Sequence, residues 1–129
     1  MIRYAVLALA LATVSAAPAP HQSASEQRDQ AAFDKAIAGL TPGKPVHCIS
    51  QRDVNGTEVH GDKIVYELGR HRKWVNQTNG VCGGHGDDIL VTRSTMSQYC
   101  EGDIVTMRDR TVGMTTGSCS LGKFVPYTK

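Results

Sequence analysis

The chain has 129 residues, with 14 lysines and arginines against 12 aspartates and glutamates, and a formal net charge of +2. That length fits one domain. The evenly mixed charge argues against a nucleic-acid-binding protein, because nucleic acid is bound by a concentrated basic face. We therefore expect no nucleic acid among its partners.

The first sixteen residues have the pattern of a secretory signal peptide. Residues 1–3 carry a positive charge, residues 4–14 form an apolar run, and small residues offer a cleavage site after Ala16. This run is too short to cross a bilayer, and no later apolar run is longer. The sequence therefore predicts a periplasmic or secreted protein with no transmembrane segment after cleavage.

Residues 17–23 are predicted to form a linker and residues 24–40 an N-terminal helix. Ser23 and Glu26 have the spacing of a capping box, in which each side chain bonds to the backbone N–H of the other residue. Apolar residues recur at positions i, i+4 and i+7 and give one narrow stripe. The stripe consists of Phe33, Ile37 and Leu40.

From residue 44 to residue 129 the composition is typical of a β-rich domain, with short β-branched runs between turns rich in Gly, Asn and Asp. A Gly-Asp pair precedes three of the runs and marks their starts, because such pairs are typical of turns. The sequence predicts a small antiparallel barrel or sandwich of about six strands. The predicted strands are residues 46–50, 63–68, 72–77, 89–94, 104–108 and 123–127, and residues 58–60 are predicted to form a short strand or bridge.

Four cysteines in a small exported chain predict two disulfides, and three connectivities are open. The pairs Cys82–Cys100 and Cys48–Cys119 are favoured. The first would join the ends of a local strand unit, and the second would tie the first strand to the last. Closing these loops would contribute about 3 and about 4 kcal/mol through the entropy of the unfolded chain.

The candidates for metal ligands are His60, Asp62, His85 and Asp87, because imidazole and carboxylate groups bind divalent cations such as zinc. They lie in two Gly-Asp turns, which would have to meet at one end of the sheet. None of these histidines has a metal-motif spacing such as H-x-x-x-H, so the sequence favours solvated turn histidines. No cofactor is expected.

The catalytic motifs that a sequence can reveal directly are missing from this chain. It has no HExxH, no P-loop, no GxGxxG and no nucleophile elbow. All four cysteines are better explained as disulfides than as nucleophiles. No catalytic residue is therefore assigned.

Two stretches could contact a partner. Arg70, Arg72 and Lys73 belong to a dense basic patch at a predicted hairpin tip. The sequence favours a solvated tip, and the alternative is contact with an envelope protein or an anionic surface. Residues 80–86 are rich in glycine, which predicts a loop that lets Cys82 reach its disulfide partner. If this loop protruded and were rigid, it could insert into an extracellular enzyme.

Several segments resemble a family of small exported proteobacterial proteins of unknown function. They are GKPVHCIS at 43–50, KIVYEL at 63–68, CEGDIV at 100–105 and CSLGKFVPY at 119–127. The resemblance covers residues 31–127. It implies a periplasmic or secreted β-rich domain and brings no catalytic residues.

The function expected from the sequence is a non-catalytic binding or interaction module. Two alternatives stay open. One is a metal-binding protein or hydrolase that uses the turn histidines and aspartates. The other is an inhibitor of an extracellular enzyme, presenting the loop from Cys82 to Asp88.

Overall fold

The computed structural model describes residues 15–83 and 86–129. The predicted signal peptide therefore lies almost wholly outside the described residues, as does His85. Within the described ranges, no helix is long and apolar enough to cross a membrane.

Helix α1 (Ala24–Ala36) begins at the predicted capping box. The Ser23 hydroxyl accepts a hydrogen bond from the Glu26 N–H at 3.3 Å, and the Ser23 N–H donates to Glu26 Oε2 at 2.7 Å. The backbone N–H and then the hydroxyl of Ser23 lower the pKa of Glu26, because both stabilise its carboxylate. The helix is shorter than predicted, and Gly39 then turns the chain at a φ of +76°.

The remaining elements in the described part of the chain are ten strands and one short 3₁₀ turn (Gln51–Asp53). All strand pairs are antiparallel. The strands are β1 (Thr41–Pro42), β2 (Cys48–Ser50), β3 (Gly56–His60), β4 (Lys63–Gly69), β5 (Arg72–Gln77), β6 (Ile89–Arg93), β7 (Gln98–Cys100), β8 (Ile104–Arg108), β9 (Thr115–Ser120) and β10 (Phe124–Thr128).

The strands form three sheets, which confirms the prediction of a mainly β fold with one helix. The largest sheet has the order β1-β10-β5-β4-β3, the second pairs β2 with β7, and the third has the order β6-β8-β9. These sheets do not close into a barrel, so the architecture is closer to the sandwich alternative.

The main core lies between the five-stranded sheet and the two smaller sheets. Side chains alternate along a strand, so Ile64 and Tyr66 of β4 face this core while Val65 between them faces the opposite side. The ring of Tyr66 packs against Tyr99 at 5.4 Å and Phe124 at 5.7 Å between centroids. Aromatic contacts at these distances add to the stabilisation from burial.

Helix α1 covers the opposite face of the five-stranded sheet. Phe33 is buried against Val65 and Val75, with Ile37 and Tyr127 at the margin. The predicted apolar stripe of the helix is therefore the surface that packs, and burying a side chain such as Phe33 contributes about 2 kcal/mol.

The disulfides are Cys48–Cys100 and Cys82–Cys119, so the favoured pairing was wrong. Cys48 stands directly opposite Cys100 in the β2–β7 ladder. The Cys82 carbonyl lies against Gly117 of β9, two residues before Cys119. Strand pairing between segments far apart in the sequence thus sets the connectivity, rather than closure of a local unit.

Two of the described glycines lie where another backbone segment leaves no room for a side chain. A Cβ at Gly117 would overlap the Cys82 carbonyl, and a Cβ at Gly122 would overlap the Gln77 carbonyl. Gly122 is also held by Asn76, which is fully buried. The Asn76 amide donates to the Gly122 carbonyl at 2.8 Å and accepts from its N–H at 2.9 Å. This bridge fixes the loop between β9 and β10 onto β5.

We expect Tyr66→Phe to leave stability at pH 7 within about 1 kcal/mol of the wild type, because an unpaired buried hydroxyl contributes no hydrogen bond. Among the described residues, the Tyr66 and Thr92 hydroxyls are buried and neither makes a hydrogen bond of normal geometry. Burial raises the pKa of Tyr66, with a smaller contribution from Tyr99, and the nearby Thr92 hydroxyl opposes part of this rise. A loss above about 2 kcal/mol in urea unfolding would show that the hydroxyl is bonded.

The same variant tests a pH dependence. The unfolded chain ionises its tyrosines near pH 10, whereas burial keeps Tyr66 protonated to higher pH in the folded state. The stability of the wild type should therefore fall as the pH rises above about 10. Tyr66→Phe should lose less stability between pH 9 and pH 11 than the wild type, and an equal loss would contradict the assignment.

Candidate functional site

A continuous cleft lies between α1, the turn from β3 to β4, and the segment that leads into β6. It consists of two adjoining cavities of about 450 and 400 Å³, which share Asp29, Gly61 and Val81 as lining residues. The first cavity runs along the N-terminal half of α1, and the second reaches Gly83, Gly86 and Asp88. We call this feature the acidic cleft, for the carboxylates Glu26, Asp29, Glu58, Asp62 and Asp88 that line it.

The turn at the centre of the acidic cleft is fixed to β5. Gly61 has a φ of +61°, a conformation that favours glycine. The next residue, Asp62, accepts hydrogen bonds on its carboxylate from Lys63 at 3.0 Å and from Gln77 at 2.6 Å. Its backbone carbonyl accepts from the Thr78 N–H at 2.9 Å and hydroxyl at 2.8 Å. These bonds tie the turn, which forms one wall of the cleft, to Gln77 at the end of β5 and to Thr78 after it.

The pKa of Asp62 lies below its ordinary value. The hydrogen bond from Lys63 is the largest cause, partial burial opposes it, and the bond from Gln77 adds to the lowering. Asp62 therefore stays ionised in neutral and mildly acidic solution.

His60 is held against the helix rather than exposed to solvent. Its Nε2 lies 3.1 Å from Glu58 Oε2, and its ring packs edge-on to Phe33 at 6.4 Å. The ammonium of Lys63 lies 5.4 Å from the centre of the same Phe33 ring. Sequence reasoning favoured solvated turn histidines, whereas His60 is bonded and mostly buried.

The predicted metal ligands are only partly brought together. His60 and Asp62 both line the acidic cleft, but each bonds to its own partner. Asp87 is exposed in the turn before β6, and His85 lies outside the described residues. Among residues 15–83 and 86–129, no group of three His, Cys, Asp or Glu side chains could hold a metal ion. The metal hypothesis stays a prediction.

The described ends of the glycine-rich segment, residues 81–83 and 86–88, line one end of the cleft. Cys82 is fully buried by its disulfide to Cys119, and Gly83 follows at a φ of +73°. At the other end of the segment, the Thr116 hydroxyl donates to the carboxylate of Asp88. Residues 82 and 88 are thus both anchored to β9, so the segment is tied down at each end.

The predicted basic patch is split by the structure. Arg70 is exposed in the turn between β4 and β5, and Arg72 is exposed at the first residue of β5. Lys73 instead bonds to Glu67 at 3.2 Å, and its side chain is only 13% exposed. An anionic partner at this tip would therefore contact the two arginines without Lys73.

The acidic cleft includes residues that sequence reasoning did not single out as functional. Asp29 comes from the helix, Glu58 from β3, and Val81 precedes the buried Cys82. Val81 is 64% exposed although it is apolar. An acidic residue in a helix is ordinary in sequence, and only the packing of α1 beside the β3–β4 turn places Asp29 in a cavity.

Comparison of the chain with protein-family models, with curated proteins and with solved structures finds no match in any of the three.

Proposed function

We propose that this protein is a non-catalytic binding module of the periplasm or the extracellular space, and that it holds a basic segment of a partner protein in the acidic cleft. The acidic cleft supports this most directly, because the described residues that line its two cavities include five carboxylates and one lysine. The two disulfides are compatible with a compartment outside the cytoplasm. The predicted signal peptide and the family resemblance support the same location.

The bonding of the carboxylates favours binding over acid–base catalysis. Glu26 caps α1, Glu58 bonds to His60, and Asp62 bonds to Lys63 and Gln77. Carboxylates held this way act as fixed negative charges. A fixed negative field in a concave site attracts and orients a cationic group.

The apolar part of the cleft lining limits which kinds of cationic group can fit there. Val81 is exposed beside Asp29, where both cavities meet. Lysine and arginine side chains match this arrangement, because their apolar stems cover apolar surface while their charged heads reach a carboxylate. A peptide segment with spaced lysines or arginines therefore fits the cleft better than a small inorganic cation.

The test uses a short peptide of alternating lysine and alanine, titrated into the protein at low ionic strength and followed by backbone amide NMR shifts. We expect the shifts to map to α1, the β3–β4 turn and residues 81–90. Asp29→Asn should weaken binding by up to about fivefold, the upper end of the range for an exposed ion pair. Added salt should weaken it further.

The matched control is Asp53→Asn, which removes an exposed carboxylate outside the cleft lining. It should leave the affinity for the peptide unchanged. Equal weakening by both variants, or the same shifts with a glutamate–alanine peptide, would show that the cleft does not select a basic partner.

The proposed location has its own test. Fractionation of the native cells and mass spectrometry of the protein should find a mature chain that starts at Ala17, outside the cytoplasm. A cytoplasmic chain that retains Met1 and has free thiols would contradict export and leave the binding test unaffected.

A further inference from the structure

The two disulfides lie in different surroundings. Cys82 is fully buried and Cys119 is nearly so, both within the main core. Cys48 is exposed, and Cys100 is half-buried. A reagent can therefore approach the Cys48 side of one disulfide without disturbing the core, whereas the other is accessible only after the fold opens.

The exposed disulfide links the shortest sheet in the described structure. Cys48 and Cys100 stand directly opposite each other in the ladder of β2 and β7, with Cα atoms 4.1 Å apart. Each of these strands has three residues. The next residue of β2, Ile49, is buried in the main core, so core packing holds this strand independently of the S–S bond.

A second pair of contacts joins the same two strands beside the disulfide. His47 precedes Cys48 and Glu101 follows Cys100, and His47 Nδ1 lies 2.5 Å from Glu101 Oε2. The Glu101 N–H also donates to the His47 carbonyl at 2.7 Å. The imidazole is 73% exposed, so the disulfide lies in a polar, open surface region. These contacts keep the two cysteines close when the S–S bond is broken.

We propose that Cys48–Cys100 is a thiol–disulfide exchange site that reacts with dithiols, while Cys82–Cys119 is structural. Exposed disulfides are the ones that exchange, and buried ones resist reduction. The expected reaction partner is a dithiol, either a small molecule or the dithiol site of an oxidoreductase in the same compartment. This proposal does not depend on the acidic cleft.

The exchange proceeds in two steps. A thiolate of the dithiol attacks the Sγ of Cys48, the more exposed residue of the pair. An S–S bond forms between the two sulfur atoms, and the Cys48–Cys100 bond breaks with its electron pair on Cys100 Sγ. The second thiolate of the dithiol then attacks the first sulfur of the dithiol, which is now bonded to Cys48. The bond to Cys48 breaks, and Cys48 is released as a thiolate. The dithiol loses two electrons and becomes a disulfide, and its two protons pass to Cys48 and Cys100.

The reduced protein should stay folded. Opening Cys48–Cys100, with a sequence separation of 52, removes about 4 kcal/mol of unfolded-state constraint. Domains of this size are typically stable by about 5–15 kcal/mol. The remaining disulfide and core packing then maintain the fold, so the site can cycle between oxidised and reduced forms.

The test treats the native, mature protein with dithiothreitol, traps thiols with iodoacetamide at successive times, and maps them by mass spectrometry. We expect Cys48 and Cys100 to be alkylated more than about tenfold faster than Cys82 and Cys119, because the buried pair requires opening of the fold. The circular dichroism spectrum should persist after the first reduction, and removal of the dithiol in air should restore the bond.

The control variant is Cys48→Ala/Cys100→Ala, which should show no alkylation over the same period while it keeps its spectrum. Equal rates for the two disulfides, faster reduction of Cys82–Cys119, or loss of the spectrum together with the first reduction would each overturn the proposal. Resistance of both disulfides until denaturant is added would overturn it as well.

Discussion

Asn76→Ala should lower the free energy of unfolding by about 3 kcal/mol or more, because it leaves a buried N–H and a buried carbonyl without partners. Both groups belong to Gly122, which Asn76 bonds at 2.8 and 2.9 Å while fully buried itself. The measurement is urea unfolding at pH 7. Unfolded Asn76→Ala protein at low temperature would be the extreme form of the same result.

Asn55→Ala is the matched control for this substitution. Asn55 is exposed and makes one side-chain bond, to the Leu68 carbonyl at 2.9 Å, so its loss should cost about 1 kcal/mol or less. Gly122→Ala provides an independent check, since its Cβ would overlap the Gln77 carbonyl and should destabilise to a similar degree. Equal effects of Asn76→Ala and Asn55→Ala would contradict a structural role for the buried bridge.

Cys82→Ala/Cys119→Ala should lower the free energy of unfolding by about 6 kcal/mol. About 4 kcal/mol comes from freeing a loop with a sequence separation of 37. About 2 kcal/mol more comes from removing two buried sulfur atoms from the core. Chemical unfolding at low temperature is the measurement, because the variant could be unfolded at physiological temperature.

Cys48→Ala/Cys100→Ala is the comparison that separates these two causes. If loop length alone decided the loss of stability, removing Cys48–Cys100 would cost as much as removing Cys82–Cys119, or slightly more. The reason is that the two cysteines are 52 residues apart in the first pair and 37 in the second. We expect the opposite order of the two losses, because Cys48 is exposed whereas Cys82 is fully buried and its removal also disrupts core packing. A larger loss from the Cys48–Cys100 pair would show that chain entropy outweighs core packing here.

The elements that the sequence revealed are those with strong local signals. The capping box at Ser23 placed the start of α1, and the predicted strands 72–77 and 104–108 have the bounds of β5 and β8. Gly-Asp turns correctly marked the starts of β4, β6 and β8. Each signal is set by neighbours within a few residues.

Three strands of the structure, β1, β7 and β9, were not predicted. β7 and β9 lack such local signals. β9 has the sequence TTGSCS, in which Gly117 and Cys119 face inward and the exposed positions carry small polar residues. β7 is only three residues long. Both form because partner strands supply the hydrogen bonds, so their pairing depends on tertiary contacts. The wrong disulfide pairing has the same cause, because Cys100 lies in β7 and Cys119 in β9, and neither strand was predicted.

Only two parts of the candidate site could be predicted from the sequence. They are the turn with His60 and Asp62, and the glycine-rich segment, because histidine, aspartate and glycine are typical of metal sites and loops. The cleft itself depends on how α1 lies beside the β3–β4 turn, and no pattern in residues 24–36 specifies that placement. Asp29 and Val81 became functional candidates only through packing.

The disulfide connectivity has a consequence for how the chain is oxidised. In sequence order the cysteines are Cys48, Cys82, Cys100 and Cys119, and the two native bonds interleave, each loop containing one end of the other. As the chain is made from its N-terminus, the first pair to become available is Cys48 with Cys82, which is not a native pair. The native bonds form in one of two ways. Either the cysteines are oxidised only after β7 and β9, which contain Cys100 and Cys119, have been made, or non-native bonds that form earlier are rearranged. Production in an oxidising compartment should therefore depend on disulfide isomerisation more than on oxidation.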